Sequence, residues 1–433
     1  MGARAGARAA GRLYAGRLLR RRLLSIGALG LLGAIGLAIA ASAVAGARRS
    51  ETAYSRLSEA TLAADAVVFA SQVGIGDADW SAVADLPYVA AAGAFGLPDG
   101  RFIDGPDGVD IDALGVFSTS FGDWRTSVDR PVLIEGRYPD QSRPDEVLAS
   151  AAAANLGVEV GDQFVGRLNT PEQSAVGTGD APEGPTVTLT VTGIGKSTVE
   201  AAIFGGPGDL FFTRAFDEQY GDGITFVSNL MVRFAEGEHD VARLEDDARR
   251  LLGAGTLPVL DAEAVGKRVT NGTDLEANGL WLFAVAVAAA TVALVGQALS
   301  RAVRSVSAEA AMLRALGMSR AGTAAVLALP FGVAIVIASA AGTLGAIALS
   351  PRFPIGLARE IDPDPGLHAD WTVLGAGSAL TVAAFGAITW WTAWREAGGR
   401  QATAIARTSR IAASLARAGV PLPVSLGARL ALE

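Results

Sequence analysis

The sequence predicts an α-helical membrane protein with four transmembrane helices and an extracytoplasmic α+β domain. Three observations predict this class. Half of the 433 residues are hydrophobic, only 18% are charged, and the mean hydropathy is +0.35. The apolar residues are concentrated in four uncharged stretches, each long enough for the ~20 helical residues that cross a bilayer. Arginine is concentrated in short segments beside these stretches.

The four stretches contain no Asp, Glu, Lys or Arg, and charged residues bound each of them closely. An ionised side chain at a helix centre costs ~2.5–3.5 kcal/mol on insertion, so each flanking charge marks an energetic boundary. Several tryptophans lie near the stretch ends, as interfacial aromatic residues do. The predicted transmembrane helices are residues 23–47, 277–300, 321–350 and 371–394.

The first stretch also has the plan of a cleavable signal peptide. A basic segment precedes the apolar run, and the small residues Ala41, Ser42 and Ala43 lie towards its end. A signal core is typically ~7–15 residues long, whereas this uncharged run has 25 residues. A permanent helix is therefore favoured, with a cleaved signal as the alternative.

The distribution of charge predicts the orientation in the membrane. The basic N-terminus 1–22, the loop 301–320 and the tail 395–433 together carry a net charge of +14, and the remainder carries −22. Short arginine-rich segments stay in the cytoplasm. We therefore predict a multi-pass plasma-membrane protein with both termini in the cytoplasm and residues 48–276 and 351–370 outside. This topology explains the basic N-terminus, so no nucleic-acid partner is predicted.

Residues 48–276 are long enough for a folded domain, and their patterns predict an α+β fold. Alternation over 186–191 predicts a half-buried strand, and 229–234 predicts another. Helical spacing predicts a helix over 240–252. Its apolar face is predicted to consist of Val241, Leu244, Ala248 and Leu251.

Two further segments of this domain have distinct compositions. Residues 51–62 predict a helix that continues the first span. Residues 166–185 are rich in Gly, Pro, Thr and acidic residues, which predicts a mobile insertion.

Three sequence blocks follow one another in the outer domain. They read VLIEGRYP at 132–139, DEVLAS at 145–150 and ANLGVEVGD at 154–162. The glycines suit tight turns, and the third block suits a helix end, so an architectural role is predicted. The residues assigned to this role are Gly136, Arg137, Pro139, Glu146, Gly157, Gly161 and Asp162.

The predicted cytoplasmic loop contains the string SAEAAMLRALGMSR at 307–320. Ser307 is predicted to cap a short helix that Gly317 ends. Leu313 and Leu316 are predicted to face one way. The residues alone describe a solvated connector between two spans.

These strings resemble the FtsX-like and MacB-type permeases of ABC systems. The outer blocks resemble the periplasmic core domain of MacB-type permeases, and 307–320 resembles the stretch that contacts the ATPase subunit in that family. The resemblance implies an ATPase-coupling role for Glu309, Met312, Leu313, Arg314, Ala315, Leu316 and Gly317. Only Glu309 stands where the family usually has a charged pair.

No catalytic, cofactor-binding or metal-binding residue is predicted. The chain has no cysteine and only two histidines, which excludes a thiolate metal site and a cysteine nucleophile. Gly195, Lys196 and Ser197 resemble the end of a phosphate loop, but that motif needs glycine at 190, where Thr190 stands. The acidic residues of 104–112 lack EF-hand spacing, so an acidic hairpin turn is predicted instead of a calcium site.

Small residues recur every four positions in the third span, at Ala338, Gly342 and Ala346. Such spacing allows helices to approach closely, so packing is predicted here instead of a substrate path. No ionisable residue lies within a predicted span, which argues against a proton relay inside one.

The resemblance implies a bacterial permease subunit without ATPase activity of its own, which transmits motion mechanically. Its implied partners are an ABC ATPase dimer that uses the ATP, a second permease half and the lipid bilayer. Export or extraction of a hydrophobic or peptide substrate is one expectation. The alternative is mechanical signalling that activates a cell-wall hydrolase or senses a peptide without transport. The final ten residues, 424–433, resemble the stretch before the second half of long permeases, so a longer chain is predicted, with a homodimer as the alternative.

Overall fold

The computed structural model describes residues 23–71, 79–122, 127–176, 181–198, 208–253 and 258–398. The predicted N-terminal segment 1–22 and most of the predicted tail, including 424–433, lie outside the described residues. So do residues 177–180 of the predicted insertion.

The chain divides into two compact units, and each is described by itself below. The sheet unit comprises Ser42–Val285 and Ile347–Asp370. The helix unit comprises Met1–Ala41, Ala286–Ala346 and Trp371–Glu433, of which 23–41, 286–346 and 371–398 are described.

The described residues form twelve α-helices and eleven strands. The helices are α1 (Leu23–Glu51), α2 (Ala53–Thr61), α3 (Trp80–Ala84), α4 (Ala151–Asn155), α5 (Pro171–Val176), α6 (Arg214–Tyr220), α7 (Val241–Leu252), α8 (Ala262–Arg304), α9 (Ser307–Ala315), α10 (Arg320–Leu349), α11 (Gly356–Ile361) and α12 (Trp371–Gly398). The strands are β1 (Ala66–Ser71), β2 (Val89–Pro98), β3 (Gly100–Asp104), β4 (Gly115–Gly122), β5 (Val132–Gly136), β6 (Glu146–Ser150), β7 (Gln163–Leu168), β8 (Thr186–Lys196), β9 (Asp209–Phe212), β10 (Thr225–Phe234) and β11 (Val259–Asp261).

The strands form one mixed sheet in the sheet unit. Its order is β11-β1-β10-β2-β4-β9-β6-β8-β7-β3, and β5 also pairs with β8. Most neighbours are antiparallel, whereas the pairs β4–β9 and β6–β8 are parallel. The predicted strands 186–191 and 229–234 are confirmed as parts of β8 and β10.

The predicted helix over 240–252 is confirmed as α7, but its predicted face is partly wrong. The Asp240 side chain accepts the N–H of Arg243 at the helix start. Leu244 and Ala248 are fully buried, whereas Leu251 is 48% exposed. Leu252 packs against the core instead, because it lies four residues after Ala248 and so on the same helix side.

The segment 166–185, whose composition predicts a mobile insertion, contains regular structure in its described residues. Its first residues complete β7, and Pro171–Val176 forms α5. The N–H of Gly184 donates to the carbonyl of Leu168 at 2.9 Å, which joins the end of the segment to β7. Gln173 donates to the carbonyl of Ala181 at 3.0 Å, a contact within the segment.

Within the described part of the chain, four helices, α1, α8, α10 and α12, are long and apolar enough to cross a membrane. Large apolar side chains on them stay exposed, including Leu31, Leu294, Ile337 and Leu380 at 62–71%. Exposed apolar surface of this extent suits contact with lipid. These helices, together with the sheet and the shorter helices of the sheet unit, confirm the predicted fold class. Helix α8 begins earlier than its predicted span and has 43 residues, a length of ~65 Å.

The small residues of α10 lie against α1 in the helix unit. Ala338, Gly342 and Ala346 are buried. A Cβ atom on Gly342 would lie 2.8 Å from the carbonyl oxygen of Ala34 and 3.0 Å from Leu37. The two helices therefore approach closely at Gly342 because it has no side chain.

Replacement of Gly342 by alanine tests this packing. We expect Gly342→Ala to destabilise the helix unit by about 1–3 kcal/mol, since backbone must move to admit one methyl group. Gly332 lies in the same helix, and a Cβ atom on it would meet nothing within 4 Å, so Gly332→Ala is the matched control. Thermal unfolding of the purified proteins followed by circular dichroism measures both, and equal melting of the two variants contradicts the expectation.

Candidate functional site

The candidate coupling element is the short helix α9 between α8 and α10. It begins at Ser307, and Val306 occupies the position before it, so the prediction that Ser307 caps the helix is wrong. The helix ends at Ala315, and Gly317 adopts a φ of +86°. The N–H of Gly317 donates to the carbonyl of Arg314, and that of Met318 donates to the carbonyl of Leu313. Glycine is the residue that adopts this left-handed conformation most readily.

The apolar residues of α9 divide between two sides. Leu313 is buried, and Ala310 lies in the core of the helix unit. Met312 and Leu316 are 59% and 67% exposed. The prediction that Leu313 and Leu316 face one way is therefore wrong. Leu316 is exposed together with Met312, four residues before it, and its N–H donates to the Met312 carbonyl at 3.1 Å.

The remaining predicted coupling residues are placed as follows. Arg314 is half-buried, and its Nε donates to the carbonyl of Ala310 at 3.4 Å. Ala315 and Gly317 are exposed, and the side chain of Glu309 lies outside the described part. The exposed members thus form one surface around Met312 and Leu316, which we call the α9 surface.

An arginine fixes the chain immediately after α9. The Arg320 guanidinium lies 4.5 Å from the ring centroid of Trp394, and it donates two hydrogen bonds to the Trp394 carbonyl. A cation over an indole face is attracted by the ring quadrupole. This contact joins the start of α10 to the end of α12, beside the coupling helix.

In the sheet unit, one buried carboxylate pairs with two arginines. The Asp362 side chain is 1% exposed and accepts hydrogen bonds from Arg49 at 2.6 Å and Arg56 at 2.7 Å. Arg49 also donates to the carbonyl of Asp364, and Arg56 donates to the carbonyl of Arg49. A buried charge requires such pairing, because its desolvation is otherwise costly.

Two more charged residues hold the same segment. Lys196 donates to the carbonyls of Arg359 and Asp362 at 3.2 and 3.1 Å. The Glu276 carboxylate accepts the N–H groups of Leu357 and Ala358 at the start of α11. We call Arg49, Arg56, Lys196, Glu276 and Asp362 the anchor cluster. It attaches α11 to α1, α2, β8 and α8.

No sequence pattern predicts the anchor cluster. In the sequence, Arg49 marks only a boundary of the first span, and Lys196 belongs to a string that fails as a phosphate loop. The partners Arg56 and Asp362 are 306 positions apart, so no local pattern joins them. The structure gives Lys196 a place in which its ammonium group donates to backbone carbonyls.

The residues of the three sequence blocks in the sheet unit meet around β8. Arg137 donates two hydrogen bonds to the buried Glu146, at 2.7 and 2.8 Å. The N–H of Asp140 donates to the same carboxylate at 2.9 Å. The Arg137 hydrogen bonds, assisted by that N–H and opposed by burial, lower the pKa of Glu146 to about 2. The pair therefore holds residues 137–140 against the start of β6.

The motif glycines lie in turns of the same region. Gly136, Gly157 and Gly161 have φ values of +74°, +101° and +100°. Asp162 accepts the N–H of Glu159 at 2.8 Å, which closes the turn before β7. Pro139 follows in the segment that the Arg137–Glu146 pair holds.

The described residues contain no group of three or more His, Cys, Asp or Glu side chains placed to hold a metal ion. In the acidic run, the Asp110 side chain accepts the N–H of Asp112, and Asp104 ends β3. Strand β3 pairs with β7 and not with β4, so the predicted acidic hairpin turn is wrong, and Asp110 and Asp112 lie at a short 3₁₀ helix, Ile111–Ala113.

Comparison with known proteins finds a family match in the C-terminal part of the chain. Residues 281–399 match the family described as FtsX-like permease C-terminal. This part of the chain is therefore similar to FtsX-like permeases, which agrees with the predicted resemblance. The family implies, in general terms, an ATPase partner and a transport role in a membrane.

Solved structures resemble the permease at low similarity. The periplasmic region of MacB from Actinobacillus actinomycetemcomitans has 9% identity and a TM-score of 0.31, covering 48% of this chain and 92% of its own. A domain of a putative permease from Porphyromonas gingivalis has 11% identity and a TM-score of 0.28, covering 46% and 90%. Likeness at this level identifies neither a ligand nor a function. No curated protein matches the chain.

The contacts of the anchor cluster predict that removal of the Asp362 carboxylate strongly lowers the stability of the protein. We expect Asp362→Asn to cost about 3–5 kcal/mol, because it leaves two partly buried arginines without their anion. The permease should then melt at a temperature roughly 10 °C lower. The control is Asp364→Asn, since the Asp364 side chain is 74% exposed. Similar melting of the two variants in detergent would show that the cluster contributes little.

The Arg137–Glu146 pair predicts a pH-dependent effect. Glu146 has a folded-state pKa of about 2, below its ordinary value of 4.5, so the pair stabilises fully above 4.5 and progressively less below it. Glu146→Gln should therefore be most destabilising at neutral pH, and its deficit should shrink as the pH falls from 4.5 toward 2. Thermal melts across this range measure the deficit. Glu135→Gln, on exposed β5, controls for the loss of one carboxylate. A deficit that is constant with pH argues against the assignment.

Proposed function

We propose that this permease is the transmembrane subunit of an ABC system. A separate ATPase supplies the energy, and the permease exports or extracts a hydrophobic or peptide substrate. The observation that carries the proposal is the α9 surface. It presents Met312 and Leu316 on a helix whose other side, at Ala310 and Leu313, is buried in the protein. Apolar side chains exposed on a firmly packed helix suit a protein partner.

The charge distribution supports placing α9 on the side where ATP is available. The segments 1–22, 301–320 and 395–433 carry the +14 charge that favours the cytoplasm. In this orientation, most of the sheet unit and the anchor cluster lie outside the cell. The ATPase then acts at one side of the membrane and the substrate is handled at the other.

Helix α8 supplies a route for mechanical transmission. It begins directly after β11, continues without interruption for 43 residues and ends at Arg304, shortly before α9. Backbone hydrogen bonds make a continuous helix stiff along its axis. A displacement of α9 is therefore expected to reach the edge strand of the sheet.

The anchor cluster supplies a second route. Helix α11 lies in the connection between α10 and α12, and Asp362 binds it to Arg49 and Arg56 beyond the end of the first span. Movement of α10 or α12 would thus act, through Asp362, on Arg49 and Arg56 of the sheet unit. A second permease half, from another chain or a second copy, completes the proposed assembly with the ATPase dimer.

Truncation of the α9 surface tests the proposal. We expect the double variant Met312→Ala/Leu316→Ala to bind a candidate ABC ATPase about 10-fold more weakly, because a loss of ~0.7 kcal/mol at each of the two side chains adds up to the ~1.4 kcal/mol of a tenfold change. Association is measured with the two purified proteins in nanodiscs, together with ATP turnover by the complex.

Leu367→Ala is the matched control. Leu367 is 70% exposed, close to the 67% of Leu316, and it lies in the predicted outer loop. Leu313→Ala is unsuitable as a test because Leu313 is buried and its loss would disturb folding. The coupling role is refuted if the double variant associates with the ATPase as firmly as Leu367→Ala does.

A further inference from the structure

A cavity of about 290 Å³ opens beside the VLIEGRYP block of the sheet unit, and ATPase coupling gives it no task. Its floor includes Leu148 of β6 and Phe211 of β9, two buried residues that are direct partners across neighbouring strands. Pro131, Tyr138 and Pro139 form walls. Small-ligand pockets have volumes of ~300–1,000 Å³ and mostly apolar linings, so this cavity lies at the lower limit.

The walls are held in position by the motif itself. Tyr138 is 48% exposed, yet its hydroxyl donates to the carbonyl of Pro131 at 2.9 Å. The residue before it, Arg137, is fixed to Glu146 by two hydrogen bonds. A cavity with preset walls loses little conformational entropy when it is filled. The Arg137–Glu146 pair thus does more than shape a turn, because it positions an aromatic wall.

One cation lines the same cavity. Arg130 is exposed, and one of its nitrogens donates to the carbonyl of Ala60 at 3.3 Å. A guanidinium has five N–H donors and binds carboxylates through two of them side by side. Arg130 therefore keeps donors for an anion beside an apolar floor.

We propose that this cavity binds the C-terminal residue of a peptide. Its apolar side chain lies on Leu148 and Phe211, and its terminal carboxylate binds Arg130. In a C-terminal residue, the side chain and the terminal carboxylate are attached to the same Cα atom, so one residue can fill both places. Within an extended chain, neighbouring side chains point to opposite faces, so an internal acidic neighbour would point away from Arg130.

The proposed peptide binding takes place in the sheet unit, and it does not require the ATPase. Binding is therefore measured with the full-length permease alone, in nanodiscs, by fluorescence anisotropy. The probe is a pentapeptide that ends in leucine and carries fluorescein at its N-terminus. It is compared with the same peptide amidated at its C-terminus and with one that ends in serine, and empty nanodiscs report partition into lipid.

We expect the free acid to bind at least about 10-fold more tightly than the amide, because a charge-assisted hydrogen bond is lost on amidation. The serine peptide should also bind more weakly, since it leaves the apolar floor unfilled. Arg130→Gln should weaken binding of the free acid by a similar factor and leave the amide unchanged. Arg101→Gln removes an exposed arginine of β3, outside this cavity, and should change neither.

Equal binding of acid and amide by the unaltered permease overturns the proposal, and so does the absence of saturable binding. Unchanged affinity in Arg130→Gln overturns the placement of the carboxylate. The acid–amide comparison needs no variant, so it stands even if a substitution impairs folding. Loss of ATPase association would leave these results untouched, which separates this proposal from the coupling role.

Discussion

The pairing of Asp362 with Arg49 and Arg56 is the interaction on which the position of α11 in the sheet unit depends. Removal of a carboxylate from water is unfavourable unless hydrogen-bonded cations replace the lost solvation. Here two guanidinium groups do so, and Lys196 and Glu276 bind the adjoining backbone. A six-residue helix such as α11 has too few internal hydrogen bonds to be stable alone. Its position is therefore set by these contacts and by packing of Ile361 against α2.

The proposed coupling role assigns a task to both the α9 surface and the anchor cluster. The α9 surface has a firmly packed side and an exposed apolar side, which suits a point where force enters. The anchor cluster binds the connection of α10 and α12 to the sheet unit, which suits a point where force leaves. Both use short helices that are stabilised by their surroundings instead of by their own length. The stiff element that adjoins α9 in the chain is α8.

Features that depend on neighbouring residues were predictable from the sequence. The four apolar helices follow from uncharged length, β8 from alternation, and α7 from helical spacing with Asp240 at its start. Features that depend on distant residues were not. The pairing of Asp362 with Arg56 has no local signature, and the burial of Leu313 beside the exposure of Leu316 depends on packing in the helix unit. Of the candidate site, the sequence indicated the α9 string and the Arg137 block, but neither the anchor cluster nor the cavity beside Tyr138.

The order of the strands has a consequence for synthesis. Strand β1 pairs with β10 and β11, so the hydrogen bonds of Ala66 can form only after Val232 and Asp261 have been synthesised. The ion pairs of Arg49 and Arg56 form later still, because Asp362 follows α10 in the chain. A ribosome must therefore deliver the third apolar helix before these two arginines find their anion. The sheet unit thus reaches its final stability only after membrane insertion is well advanced, which ties the maturation of one unit to the assembly of the other.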